Sequence, residues 1–111
     1  MKKLALSILL ITSSPALAQS QQQQTDVIGL GTSSCGYWNN ARRDNSFVYL
    51  ALQSWVLGAL SGMNISSEQR VMLNGVDGDG IISWMDHYCS SHPLERVSTA
   101  TLLLANELAR R

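Results

Sequence analysis

Two cysteines and one acidic stretch hold the residue types in this chain best suited to chemistry. Cys35 and Cys89 are its only thiols, and such a pair serves either as a disulfide or as metal ligands. A zinc site would recruit His87 and His92. Residues two apart on a helix do not share a face, so His87 and Cys89 would point apart. The acidic stretch reads Asp77-Gly78-Asp79-Gly80-Ile81-Ile82-Ser83-Trp84-Met85-Asp86. Aligned on an EF-hand calcium loop, Asp77 and Asp79 take ligand positions three and five, and Gly80 takes the turn glycine. Ser83 then takes position nine and Asp86 position twelve. Gly75 stands at position one, where a carboxylate belongs, and an aspartate at position twelve reaches less far than a glutamate. The same residues also read as an acidic loop capping a helix, whose positive end favours Asp77 or Asp79. A weak calcium module at Asp77, Asp79, Ser83 and Asp86 and a plain helix cap are thus the two readings.

Catalytic groupings are sparser. Gly58-Ala59-Leu60-Ser61-Gly62 puts its serine one place late for a nucleophile elbow and lies inside a helical run. Asp86 and His87 are adjacent, so on a helix they face different ways. Gly29-Leu30-Gly31 lacks the third glycine of a dinucleotide fingerprint. No enzymatic activity and no cofactor are expected. The large aromatics Tyr37, Trp38, Tyr49, Trp55, Trp84 and Tyr88 suit core packing with polar tips at the surface. Among them Tyr37, Trp38, Trp55 and Trp84 are the candidates for a partner-binding face, with Trp38, beside Tyr37 and close to Cys35, foremost.

The N-terminus bears on the thiols. Lys2 and Lys3 precede an apolar run from Leu4 to Ile11, and Ala16-Leu17-Ala18 offers small residues where a signal peptidase reads. The run is too short for a bilayer, which needs about 20 residues. Residues 1–18 are therefore expected to be a signal peptide cleaved after Ala18, leaving no stable membrane anchor and placing the domain in the periplasm or outside the cell. There two thiols normally pair. Closing a loop of about 55 residues would stabilise the fold by about 4 kcal/mol. Removing both lysines leaves Arg42, Arg43, Arg70, Arg96, Arg110 and Arg111 against eight carboxylates. Such a weakly acidic surface has no basic stripe, which excludes nucleic-acid binding.

The elements that must position these residues are helical. Residues 19–34 read as a leader and loop, glutamine-rich to Gln24, and the Gly-, Ser- and Thr-rich stretch from Val27 to Gly36 is expected to loop across the surface toward Cys35. From about Ser46 to Met63, apolar residues at Val48, Leu52, Trp55, Val56, Ala59, Leu60 and Met63 follow helical spacing. Ser54, Gly58 and Gly62 form a small-residue groove along it, expected to receive another helix of the same domain, with a dimer contact as the alternative. Ser66 and Gln69 form a capping-box pattern that predicts a short helix to about Leu73. A third helix is expected from about Ile81, with Ile82, Met85 and Cys89 facing the core. The last is expected from Pro93, with Leu94, Val97, Thr101, Leu104 and Leu108 on one stripe and Leu102, Leu103 and Ala105 widening it. The fold class is all-α, a bundle of about four helices over residues 35–111 stapled by one disulfide.

The order Cys35-Gly36-Tyr37-Trp38, then Trp55, Gly58 and Ser61-Gly62, then Trp84, Tyr88-Cys89 and His92-Pro93-Leu94 resembles small exported bacterial proteins of the HdeA/HdeB-like type. It is also similar to disulfide-bonded periplasmic immunity proteins that neutralise type VI secretion effectors. The resemblance spans Cys35 to Arg111 and implies an HdeA-like fold with Cys35 and Cys89 as the family's disulfide pair. It implies a non-enzymatic periplasmic binding protein, either an acid-stress chaperone for unfolded clients or an immunity protein inhibiting one effector. A homodimer is a possible assembly.

Overall fold

The computed structural model describes residues 26–111. The expected signal peptide at 1–18 and the glutamine tract at 19–24 lie outside the described residues. A 3-10 helix, Gly29–Thr32, is followed by helices α1 (Cys35–Arg43), α2 (Phe47–Ser66), α3 (Gly78–Ser91) and α4 (Val97–Ala109). Among the described residues there is no strand, only an isolated antiparallel bridge between Ser34 and Arg96. The fold is a small all-α bundle.

Helix α2 is the central element and packs against α1, α3, α4 and the 3-10 helix. Leu52, Val56 and Leu60, four residues apart, form its buried ridge. Ile81, Met85 and Cys89 do the same for α3, with Ile81 in the place expected for Ile82, which is half-buried beside the core, while Val97, Ala100, Thr101, Leu104 and Ala105 do so for α4. The Thr101 hydroxyl, fully buried, donates to the Val97 carbonyl at 2.8 Å, so its burial leaves no orphan polar atom.

Three expectations about the elements are corrected. The segment around Cys35 is a helix rather than a loop, because Ser34 accepts a hydrogen bond from the Tyr37 N–H at 3.0 Å and caps it. The short helix expected over Ser66–Leu73 is absent. Helix α2 instead runs through Ser66, and the Ser67 hydroxyl accepts from the Arg70 N–H at 3.0 Å. Arg70 then adopts φ 50°, a left-handed conformation that stops a helix after its first turn. Finally, α4 starts at Val97 instead of Pro93. Residues 92–95 form a turn closed by the bond from the Glu95 N–H to the His92 carbonyl, and this turn is fastened by bonds from the Gly36 N–H to the Pro93 carbonyl, from the Cys35 N–H to the Glu95 carbonyl and from the Val97 N–H to the Ser33 carbonyl. Leu94 is consequently in water, and Leu102 and Leu103 lie at the exposed edge of α4.

Cys35 and Cys89 form the disulfide, joining α1 to α3 with Cα atoms 4.7 Å apart. Both are fully buried. Packing also extends upstream of Cys35: the Trp55 indole donates to the Ile28 carbonyl at 2.9 Å and lies across Gly31 so closely that a Cβ there would overlap its ring.

Reduction of the disulfide should lower unfolding stability by about 4 kcal/mol, measured by urea denaturation with and without reductant. Gly31→Ala should cost about 1–3 kcal/mol through displacement of the Trp55 ring. Near-UV circular dichroism and thermal melting would report that loss.

Candidate functional site

Helices α1 and α3 run antiparallel across the disulfide, and the polar centre of the protein lies one turn away from it. Cys35 faces Cys89, and three residues further along each helix Trp38 faces Asp86. The Trp38 indole N–H donates to Asp86 Oδ1 at 2.8 Å. From α2 the Tyr49 hydroxyl lies 2.8 and 3.0 Å from the two carboxylate oxygens, and its ring meets Trp38 edge-on. Arg42 Nε closes the cluster 3.3 Å from Oδ2. Asn39 adds a bond from its side-chain amide to the Cys89 carbonyl at 2.9 Å. One carboxylate on α3 thus gathers donors from two other helices, α1 and α2. Burial, and then the hydrogen bond to Asp86 and its negative charge, push the Tyr49 phenol above its ordinary value, with Gln53 and Arg42 opposing.

The predicted site residues separate accordingly. Trp38 is fully buried, so it is a core residue and presents nothing to a partner; this corrects its place as foremost binding candidate. Trp55 is half-covered by the 3-10 helix. Trp84 stacks on Tyr88, which stacks on His92, and its indole donates to Glu107 at 3.2 Å. The ladder follows from α3 itself, since positions four apart share a face. Burial, followed by the negative charge of Glu95, raises the Tyr88 phenol as well. Of the four candidates Tyr37 is the most open, 45% exposed.

The calcium reading is corrected too. An EF-hand loop must wrap around its ion, whereas Gly78–Ser91 is helix and spreads the supposed ligands along a rod. Asp77 caps that helix by accepting from the Gly80 N–H at 2.7 Å. Asp79 and Ser83 are exposed, and Asp86 is turned inward to Trp38 and Tyr49. Among the described residues no three His, Cys, Asp or Glu side chains come together as a metal site. The cysteines, being bonded to each other, have no thiolates for zinc.

Two apolar surfaces stand out among the described residues; the sequence reading singled out only the small-residue groove that runs along the second. The first is a clamped tip. Pro93 and Leu94 project beside the start of α1, tied by the 2.8 Å bond from Gly36, with Tyr37 next along the chain and Leu94 96% exposed. The second is the outer face of α2, with Phe47, Leu50, Ser54, Gly58, Ser61, Gly62 and Ile65 all exposed. No charged residue occurs in the 20 residues of this helix, whose length and mean hydropathy of 1.2 match a membrane span. A Cβ built on Gly58 or Gly62 meets nothing within 4 Å. The expectation that another helix of the domain fills this small-residue groove is therefore corrected: among the described residues the groove is open. Burial of the opposite ridge had to be known before this face could be recognised as free.

Comparison with protein-family models, with curated proteins and with solved structures finds no match.

Asp86→Ala should cost about 2–3 kcal/mol, because it strands the buried Trp38 N–H. Arg42→Ala should cost less than about 1 kcal/mol, since that guanidinium is half in water. Chemical denaturation separates the two. The folded state holds the Tyr49 proton more tightly than the unfolded chain does. Its contribution is therefore fully present below about pH 10 and is lost as pH rises through the raised folded value. Denaturation midpoints between about pH 8 and about pH 11 should fall further for the natural chain than for Tyr49→Phe.

Proposed function

We propose that this chain is an exported, non-enzymatic protein-binding domain that engages one folded partner through the clamped tip at Tyr37, Pro93 and Leu94. The observation that carries this reading is Leu94, held almost fully in water by a backbone fixed on both sides. A free loop would lose conformational freedom on binding; one already fastened to α1 and the disulfide loses little, which favours affinity. An apolar side chain projecting from such a mount matches an anchor that fills a partner's pocket. The disulfide supports an oxidising, extracytoplasmic setting, and the periplasm is the compartment we assign. The immunity-type role, inhibition of a secreted effector by direct contact, fits this geometry best.

The outer face of α2 favours a second reading, the HdeA/HdeB-like acid-stress chaperone. An uncharged face with a large exposed aromatic suits loose contact with unfolded chains better than one defined pocket.

The two readings diverge under test. For the immunity role, the tagged exported protein should co-purify with one enzyme and inhibit it. Leu94→Glu should weaken that complex at least about tenfold while leaving the melting temperature unchanged, since Leu94 supports nothing in the fold. For the chaperone role, the natural chain should suppress aggregation of an unfolded client near about pH 2–3, below ordinary carboxylate values. Leu94→Glu should not alter that suppression. Failure of both assays would remove the protein-binding reading.

A further inference from the structure

We propose that the outer face of α2 is a self-association surface, on which a second copy of this chain packs antiparallel about a two-fold axis that crosses the exposed side of the helix, midway between Ser54 and Gly58. This inference goes beyond the binding reading and does not rest on it, because it concerns α2 and not the tip.

The argument begins from the arrangement of sizes along the exposed stripe. Large side chains stand toward its two ends, with Phe47 83% exposed, Leu50 58% and Ile65 64%. Small residues, Ser54, Gly58, Ser61 and Gly62, fill the stretch between Leu50 and Ile65. In an antiparallel two-fold pair, each residue faces one at the mirrored distance from the axis. An axis at position 56 sets Phe47 against Ile65 of the other copy, Leu50 against Gly62 and Ser54 against Gly58. A single register thus places one large residue over a glycine and pairs the remaining large ones with each other. Among the described residues the space above Gly58 and Gly62 is open, so the Leu50 side chain of a second copy enters over Gly62 without displacing any of them. A parallel pair would instead set Phe47 on Phe47 and Gly62 on Gly62, leaving gaps beside crowded ends.

Charge gives the same answer. The face itself carries none, so a copy of it brings no desolvated ion to the contact. Just beyond the helix ends lie Arg43 and Asp44 at one side and Glu68 and Arg70 at the other. Each end is close to neutral, so antiparallel pairing brings no net repulsion, and it sets the positive end of one helix dipole beside the negative end of the other.

Area decides how strong the pair is. Twenty residues of helix give a face about 30 Å long and about 10 Å wide. Over two copies that is roughly 600 Å², below the about 1,200 Å² of stable complexes. The pair is therefore weak and reversible, and it forms at high protein concentration.

Sedimentation equilibrium on the oxidised exported chain should show the weight-average mass rising toward twice the monomer between about 10 μM and about 1 mM. Gly58→Lys fills open space in the single copy, so its melting temperature should not fall, yet its mass should stay monomeric across the range. Mixing Phe47→Cys and Ile65→Cys variants under mild oxidation should give mixed crosslinks in excess over like-with-like ones. The proposal is overturned by a natural chain that stays monomeric, by a mass increase that Gly58→Lys leaves intact, or by like-with-like crosslinks predominating. A monomer that holds unfolded clients, or neutral phosphatidylcholine vesicles, through Phe47 would equally overturn it and assign the face to that occupant.

Discussion

The antiparallel contact of α1 with α3 is the constraint on which the rest of the protein depends. One covalent bond, Cys35 to Cys89, sets the register, and the next turn places the Trp38 indole against the Asp86 carboxylate. Each explains the other. A buried indole N–H needs an acceptor, and a partly buried carboxylate needs several donors to offset its lost hydration. Tyr49 supplies one from α2, which joins the central helix to this pair, and Arg42 supplies charge from the solvent side. Among the described residues no buried side-chain nitrogen or oxygen lacks a partner, so the polar centre orients the helices without an unpaired group.

The same contact determines what the surface offers. Because α1 is anchored, the backbone bonds from Cys35 and Gly36 can fasten the turn at residues 92–95, and Leu94 is carried outward instead of joining the stripe of α4. The ridge of α2 is spent on the core through Leu52, Val56 and Leu60, which leaves its uncharged opposite side facing water. Two apolar surfaces of different character result. The tip is small, rigid and singular, suited to insertion into a pocket. The α2 face is long, shallow and self-complementary in size, suited to another helix.

Local signals were readable where the decisive interaction is itself local. The core ridges of α2 and α3 were evident from apolar spacing, and the capping reading of Asp77 needed only a side chain three residues from its donor. Helix α1 escaped notice because Asn39, Asn40, Arg42 and Arg43 dilute its apolar pattern, and what keeps it helical includes a bond to a residue far along the chain. The capping-box signal at Ser66 failed for a physical reason: the neighbouring serine, Ser67, formed its own turn with Arg70 while α2 continued. The calcium alignment matched residue types but not the conformation that would bring them round an ion. The Asp86 cluster had one available signal. Cys35 pairs with Cys89, and Trp38 and Asp86 each lie three residues along from those cysteines, so an antiparallel arrangement brings them together.

From the sequence alone came the helical class, the pairing of the two thiols and the inward faces of α2 and α3, because periodicity and thiol chemistry act on short stretches or single groups. Only the tertiary structure decided that Trp38 lies inside and Leu94 outside, that Asp86 serves the core and not a cation, and that the small-residue groove of α2 is open. Each of these depends on which surfaces meet across the fold, and that is a property of the helices' relative placement, which no local pattern contains.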